Sequence, residues 1–405
     1  IDIPRDLLPG AEIELDLMTP DSYRPGQTRS RGDQGLIDKA AAVLSSAQRP
    51  IILAGGGVQW SGAADEVCRM AELTGAAIVT SYGRADAVPN DHPNYLGHLG
   101  RLGSAEGIEA IRQADTILAV GTRLSQSTTF YDNRFIPEDA KIVQIEIDPQ
   151  EIGRNYPVTV GIEGDAKAVM DGLLEKVRER EPRPNQGWVS EIRDWNSRRA
   201  TRLRDEEKLT GSSIKPQWAY AELRKVMPRD AIVALDAGLA PNYGQDRLNY
   251  YEPRSLITSL DLGGLGFSFP AAIGAKFAAP DRPVINFNGD GGFLFNAQEF
   301  STAVQYNLPL VTVIMNNGIW GSEKAYQRYA FDERYVGADV INPRFDKYAE
   351  IFGGAGFYVD RPEDIGNALQ EALNCGKPSI IEIPTDPDEM PRPARLAEVQ
   401  APPQK

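Results

Sequence analysis

Short, largely apolar runs closed by glycine, asparagine or aspartate recur along this chain, and they constrain its fold more than any other feature. In the first half they are PIILAGGG (Pro50 to Gly57), AAIVTS (Ala76 to Ser81), TILAVG (Thr116 to Gly121) and KIVQIEID (Lys141 to Asp148). In the second half they are AIVALD (Ala231 to Asp236), SLITSL (Ser255 to Leu260), PVINFNGD (Pro283 to Asp290), LPLVTVIMNN (Leu308 to Asn317) and PSIIEIP (Pro378 to Pro384). Helical patterns such as Ala105 to Gln113 lie between them. Apolar strands alternating with helices belong to parallel sheets covered on both faces. The spacing predicts an α/β chain of two doubly wound domains with mainly parallel sheets and helices on both faces.

The break EPRPNQG (Glu181 to Gly187), with two prolines and a glycine, separates the halves. We place a linker at residues 1–34, a first α/β domain at 35–180, a second at 188–390 and a Pro-rich tail at 391–405. Just after the break, Trp188, Ile192, Trp195 and Leu203 fall mostly at helical spacing among many charges. They predict an amphipathic helix with a solvated charged face. Residue 1 is Ile rather than Met, so the expectation is a chain that is a piece of a longer precursor or one half of a two-chain enzyme.

Charge and cysteine usage exclude several function classes. The 43 Lys+Arg against 57 Asp+Glu leave a formal charge of −14, a field that repels nucleic acid and anionic membranes. No apolar run approaches the roughly 20 residues that span a bilayer, and the first residues carry no secretory pattern. Cys68 and Cys375 stand far apart with no CxxC, which argues against a disulfide framework or structural zinc and fits a reducing, cytoplasmic setting. Cys68 reads as a small buried apolar residue. The only histidines, His92 and His98, share one loop-like stretch, so histidine-centred chemistry is disfavoured.

Ligands of open α/β sheets bind beyond the carboxyl ends of the strands. In the second half those ends carry Asp236-Ala237-Gly238, Gly263-Gly264-Leu265-Gly266, Gly289-Asp290-Gly291-Gly292 and Asn316-Asn317-Gly318. A carboxylate at Asp290 can ligate a hard cation, and the glycines beside it let backbone approach a phosphate. Asn317 ends the next run and can face Asp290. One carboxylate, one amide oxygen and one backbone carbonyl make half an octahedron for Mg²⁺, which diphosphate oxygens and water would complete.

Gly289-Asp290-Gly291 followed by Asn316-Asn317, with a helix, a break and an apolar strand between, resembles the thiamine-diphosphate motif of the acetolactate synthase-like superfamily. Gly264-Leu265-Gly266-Phe267 before PAAIGAK, and Asp148-Pro149 with Gly164-Asp165-Ala166, are similar to other segments of that family. Within it, IPRD, WGSEK (Trp320 to Lys324) and FDERYVG (Phe331 to Gly337) resemble sulfoacetaldehyde acetyltransferases more than acetolactate synthases. The resemblance implies that Asp290, Asn317 and the Ile319 carbonyl hold Mg²⁺. It implies diphosphate contacts at Gly238, Leu239, Gly291 and Gly292, and aminopyrimidine contacts at Gly263 and Leu265, with the Leu265 side chain propping the cofactor in a bent form. It further implies an activating glutamate on a preceding pyrimidine-binding domain, contributed across a homodimer or tetramer, so no catalytic side chain is assigned in this chain. The activity implied is formation of a two-carbon enamine from a sulfoacetaldehyde-like aldehyde or a 2-oxo acid, then its transfer to an acceptor. An acetolactate synthase-like carboligase or 2-oxo acid decarboxylase is the alternative reading.

Trp320, Glu323 and Lys324 follow the motif closely and are candidates for the substrate pocket; packing and a solvated ion pair are the alternative. AGGGVQWSG (Ala54 to Gly62) lacks GxGxxG spacing and reads as a strand-to-helix turn. The family resemblance nevertheless allows FAD or ADP in the first domain, with Gly55, Gly56, Gly121, Arg123 and Asp148 as contacts. A non-catalytic regulatory subunit would not need Asp290 and Asn317. A nicotinamide dehydrogenase would need a GxGxxG with an acidic residue about 20 positions on, which is missing.

Overall fold

The computed structural model describes residues 2–8, 10, 14–23, 28–133 and 135–391; of the expected C-terminal tail only Pro391 is among them. Two all-parallel sheets of six strands each form the frame. The first contains Pro50–Ala54 (β1), Ala77–Thr80 (β2), Tyr95–His98 (β3), Thr116–Val120 (β4), Lys141–Glu146 (β5) and Val160–Glu163 (β6), in the order β3-β2-β1-β4-β5-β6. The second contains Ile232–Leu235 (β7), Leu256–Thr258 (β8), Val284–Gly289 (β9), Val311–Asn316 (β10), Ala355–Tyr358 (β11) and Ser379–Pro384 (β12), in the order β11-β12-β10-β9-β7-β8. Both are doubly wound α/β sheets, as the apolar runs require.

Three strands had no counterpart among the apolar runs: β3 (YLGH), β6 (VGIE) and β11 (AGFY). All three lie at sheet edges. An edge strand is short and carries glycine or polar residues, so its composition does not mark it. His98 therefore does not sit in a loop. It ends β3, fully buried, and burial lowers its imidazole to about 4, leaving it neutral at pH 7.

Central strands show why the sequence folds this way. Every residue of β1 and β4 is buried, so both faces are covered by helices. Two of the covering helices, Gln34–Ser45 and Ala166–Glu179, start at side-chain caps: Asp33 accepts from the Leu36 amide at 2.9 Å and Asp165 from the Ala168 amide at 3.1 Å. Cys68 packs against the first core, and burial raises its thiol to about 12.

The helix Gln186–Asp205 corrects one expectation. Its apolar side packs into the first sheet through Trp188, Ile192 and Trp195, but its charged side is not simply solvated. Arg199 is buried and its guanidinium meets Asp246 at 3.0 Å. Arg202 bridges Asp246 at 2.9 Å and Glu106 at 3.0 Å. Glu106 belongs to the first unit and Asp246 to the second, so these arginines join the two. Charge spacing along one helix could not reveal partners that lie 96 and 44 residues away.

The glycines after β1 and β4 serve close packing. A Cβ on Gly57 would lie 2.6 Å from the Gly121 Cα, and Gly121 itself has φ +56°. Gly57→Ala is expected to destabilise the protein by about 1–3 kcal/mol through overpacking against backbone. Gly274→Ala should do the reverse: it lies in the helix Ser268–Ala278 with nothing within 4 Å of a Cβ, and gains about 0.5–1 kcal/mol of helix stability. Denaturant melts of the pair read the opposite signs.

Candidate active site

Sheet two reverses its strand order between β7 and β9, and the loops leaving β7, β8, β9 and β10 open a cleft of about 260 Å³ there. After β7 comes Asp236, fully buried, whose carboxylate accepts from the Gly266 amide at 3.0 Å and the Ser268 amide at 3.2 Å. Burial pushes this carboxyl up, and the backbone donors oppose that rise. The brace pins the loop bearing Gly263 and Leu265 to the end of β7, where Gly238 and Leu239 begin a short helix. All four residues line the cleft.

Asp290 opens the helix Asp290–Leu294 directly after β9. Its Oδ2 accepts from the Gly318 amide at 2.8 Å and from the Asn342 side-chain amide at 2.6 Å. Burial raises the Asp290 carboxyl, while hydrogen bonds from Gly291, Asn342 and Gly318 favour its charged form. Asn317 and Ile319 leave β10 in a turn with Gly318 at φ +68°, where the Asn317 Oδ1 accepts from the Ile319 amide at 3.3 Å. The turn is held by Val340, whose amide donates to the Gly318 carbonyl, and by Trp320, whose amide donates to Ala338, both at 2.8 Å. Asp290, Gly291, Gly292, Asn317 and Ile319 all border the same cleft.

The donor set fits a cation held with a diphosphate. Among the described residues no group of three or more His, Cys, Asp or Glu could hold a metal. A cation here must therefore draw on one carboxylate, amide and backbone oxygens, and the ligand's own phosphates, the usual arrangement for Mg²⁺. Cβ atoms on Gly263 and Gly289 would meet nothing within 4 Å, so the floor is open to a bound group. Gly291 has no such freedom, since its Cβ would lie 2.6 Å from the Trp320 ring.

Trp320 and Glu323 line the cleft, with Tyr326 beside them. Lys324 does not. Its ammonium pairs with Asp339 at 2.7 Å and lies 5.2 Å from the centre of the Tyr335 ring, so it stabilises the turn rather than facing the cavity. In the first unit, Gly55 and Gly121 are taken up by the crossing of the two loops. Gly56 packs beside Arg84, the Arg123 carbonyl accepts from Asn155, and Asp148 caps its own turn by accepting from the Gln150 amide at 2.9 Å. None of the five borders the cleft of the second unit.

Sequence reasoning missed three kinds of site residue. Asn342 reaches Asp290 from 52 positions away, and also donates to the Asn316 Oδ1 at 2.9 Å. Buried Glu382 on β12 accepts from the Asn316 side-chain amide at 2.8 Å and completes that chain of contacts. Tyr82 and Arg101, from loops of the first unit, form part of the cleft wall. No local pattern marks any of them: Glu382 comes from β12 paired with β10, Asn342 from the chain returning past β10, and Tyr82 and Arg101 from the docking of the first unit on the second.

Comparison with known proteins is consistent across both units. The family model for the central domain of thiamine pyrophosphate enzymes matches residues 37–173, and that for their C-terminal TPP-binding domain matches residues 236–383. A sulfoacetaldehyde acetyltransferase of Castellaniella defragrans is 32% identical over 98% of this chain and 71% of its own length. Another, from Alcaligenes xylosoxydans xylosoxydans, is 34% identical over 95% of this chain and 67% of its own. A probable acetolactate synthase large subunit of Methanocaldococcus jannaschii is 33% identical, over 96% and 66%. Matches of this extent across both sheets establish that the chain belongs to the family of thiamine pyrophosphate-dependent enzymes, of which it carries the central and the C-terminal cofactor-binding domains.

Proposed function

We propose that this chain binds thiamine diphosphate through Mg²⁺ and transfers a two-carbon unit from a sulfoacetaldehyde-like aldehyde or a 2-oxo acid to an acceptor. The observation that carries the reading is the convergence of Asp290, Asn317 and Ile319 with Gly238, Leu239, Gly291 and Gly292 on one cleft at the strand-order reversal. The Asp290 carboxylate, the Asn317 amide oxygen and the Ile319 carbonyl would hold Mg²⁺ against the diphosphate. Gly263 and Leu265 would border the aminopyrimidine, with Leu265 holding it bent. When bound, the cofactor supplies the carbon nucleophile and electron sink that side chains cannot. Trp320 and Glu323 would face the substrate.

The reading takes its activating glutamate from a pyrimidine-binding domain across a homodimer or tetramer. Leu262 is 90% exposed and Phe295 56% exposed beside the cleft residues Gly263 and Trp320, apolar surface of the kind a subunit contact covers. Packing of Gly57 on Gly121 accounts for the glycines after β1 and β4, so the reading requires no FAD or ADP there. Among the described residues no helix is long and apolar enough to cross a membrane.

Titration of the full-length protein with thiamine diphosphate is expected to show Mg²⁺-dependent binding that EDTA abolishes. Absence of binding at millimolar cofactor would sink the proposal. With cofactor bound, sulfite release from sulfoacetaldehyde is the expected activity; CO₂ release from pyruvate without it would favour the acetolactate synthase-like alternative.

A further inference from the structure

We propose that Arg101 binds the anionic group, carboxylate or sulfonate, of the donor substrate and so selects charged donors over uncharged ones; the inference rests on the cofactor reading above. Arg101 is the one lysine or arginine among the described residues that line the cleft. Asp290 and Glu323 also line it, in a chain of formal charge −14, so an anionic substrate enters an unfavourable field unless a cation receives it. No described carboxylate lies within ion-pairing distance of the Arg101 guanidinium, which leaves its fork of donors open to a ligand. Arg199, Arg202 and Arg247 are by contrast each held by an acidic side chain.

The backbone carrying Arg101 is built to hold one position. Gly97 and Gly100 lie at φ +98° and +99°, and Leu102 adopts φ +51°. A non-glycine residue held there costs of order 1–3 kcal/mol and persists only where its surroundings over-determine it. Those surroundings are present: the Gly103 amide donates to the Gly100 carbonyl at 3.1 Å, and Ser104 donates to His98 at 2.9 Å. A Cβ on Gly97 would lie 3.0 Å from the Ser104 hydroxyl, and Leu102 packs against the core of the second unit. Beneath the loop, the Gly83 amide donates to Gln245 of the second unit at 2.6 Å, and Gln245 in turn donates to Asn242, another lining residue, at 2.6 Å. Arg101 thus enters from the first unit beside Tyr82. The proposed diphosphate cradle is made by strand ends of the second unit alone.

The test uses the full-length protein loaded with thiamine diphosphate and Mg²⁺, as wild type, Arg101→Gln and Arg101→Lys. Pyruvate and sulfoacetaldehyde serve as anionic donors, losing CO₂ and sulfite, and acetaldehyde, which loses a proton instead, as the uncharged one. For Arg101→Gln the ratio of kcat/KM for anionic over uncharged donors is expected to fall by about 10- to 100-fold, the usual size of a lost charge-assisted hydrogen bond. Arg101→Lys should restore part of that ratio, and the dissociation constant of thiamine diphosphate should stay within about twofold. Calorimetric binding of oxamate, an unreactive isostere of pyruvate, to the loaded protein reads the loss of anion binding without turnover. An unchanged ratio overturns the proposal, and so does a loss of cofactor affinity that lowers all donors equally, which would assign Arg101 to the diphosphate. Wild-type protein that binds no cofactor would remove the function reading itself, whereas normal cofactor binding with an unchanged ratio removes only the role of Arg101.

Discussion

Asp290→Ala is expected to weaken Mg²⁺-dependent thiamine diphosphate binding by about 100-fold or more, while the protein remains folded. Altering groups that merely orient a metal ligand typically costs 10- to 100-fold in metal affinity, and here the carboxylate assigned to the proposed cation would itself be lost. The fold should survive because Asp290 stands on a short helix at the end of β9 and contributes polar contacts rather than core. Its removal leaves the Gly318 amide and the Asn342 side chain without their acceptor, a cost of about 1–3 kcal/mol per stranded group. Asp290→Asn isolates the charge, since it keeps the shape and one acceptor oxygen; it should show nearly the same loss of binding with a smaller loss of stability. Quenching of Trp320, which packs over Gly291 at the cleft, reads the binding, and circular dichroism reads the fold. Undiminished affinity in both variants would mean that the cation is held elsewhere.

Asp246→Ala is expected to destabilise the protein by about 3–5 kcal/mol, measured as a lower denaturant midpoint. Burial alone would raise the Asp246 carboxyl, but Arg199, Arg202 and Arg247 surround it and hold it far below the usual carboxylate range. Removing one member of a buried ion network leaves uncompensated charge, which is where a cost of this size comes from. Arg202 keeps Glu106 and Arg247 keeps Glu206, but buried Arg199 loses the one acidic partner it has among the described residues. The sign of the pH dependence follows from the depressed folded pKa. The stabilisation is complete above the unfolded carboxylate value of about 4 and is lost as pH falls from there towards the folded value. Wild type should therefore lose stability steeply below about pH 4, and the variant should lack that component. A variant as stable as wild type would show that the network holds the units together no better than apolar packing does.

The two sheets were legible because β1, β4, β9 and β10 are almost wholly buried and so read as short, largely apolar runs. The edge strands β3, β6 and β11 were not, because an edge needs neither length nor hydrophobicity. The same division applies to the cleft. Asp290, Gly291, Gly292 and Asn317 are marked locally, since strand ends that leave room for a ligand carry glycine and a polar side chain in one short stretch. Lys324 shows where that logic stops: it follows the motif by a few residues, yet helix rotation and Asp339 turn it away.

The sequence by itself therefore determined the two parallel sheets, the resemblance to the thiamine-diphosphate motif and the carboxylate–amide pair at its centre, because these depend on periodicity and on neighbours within one strand–loop unit. The tertiary structure alone decided that Asn342 and Glu382 stand behind Asp290, that Arg199 and Arg202 face Asp246, and that Tyr82 and Arg101 cross from the first unit to wall the cleft. Those contacts join residues 44 or more positions apart; the ones behind Asp290 follow from how strands pair within the second sheet and the others from how the two units dock, which no local pattern encodes.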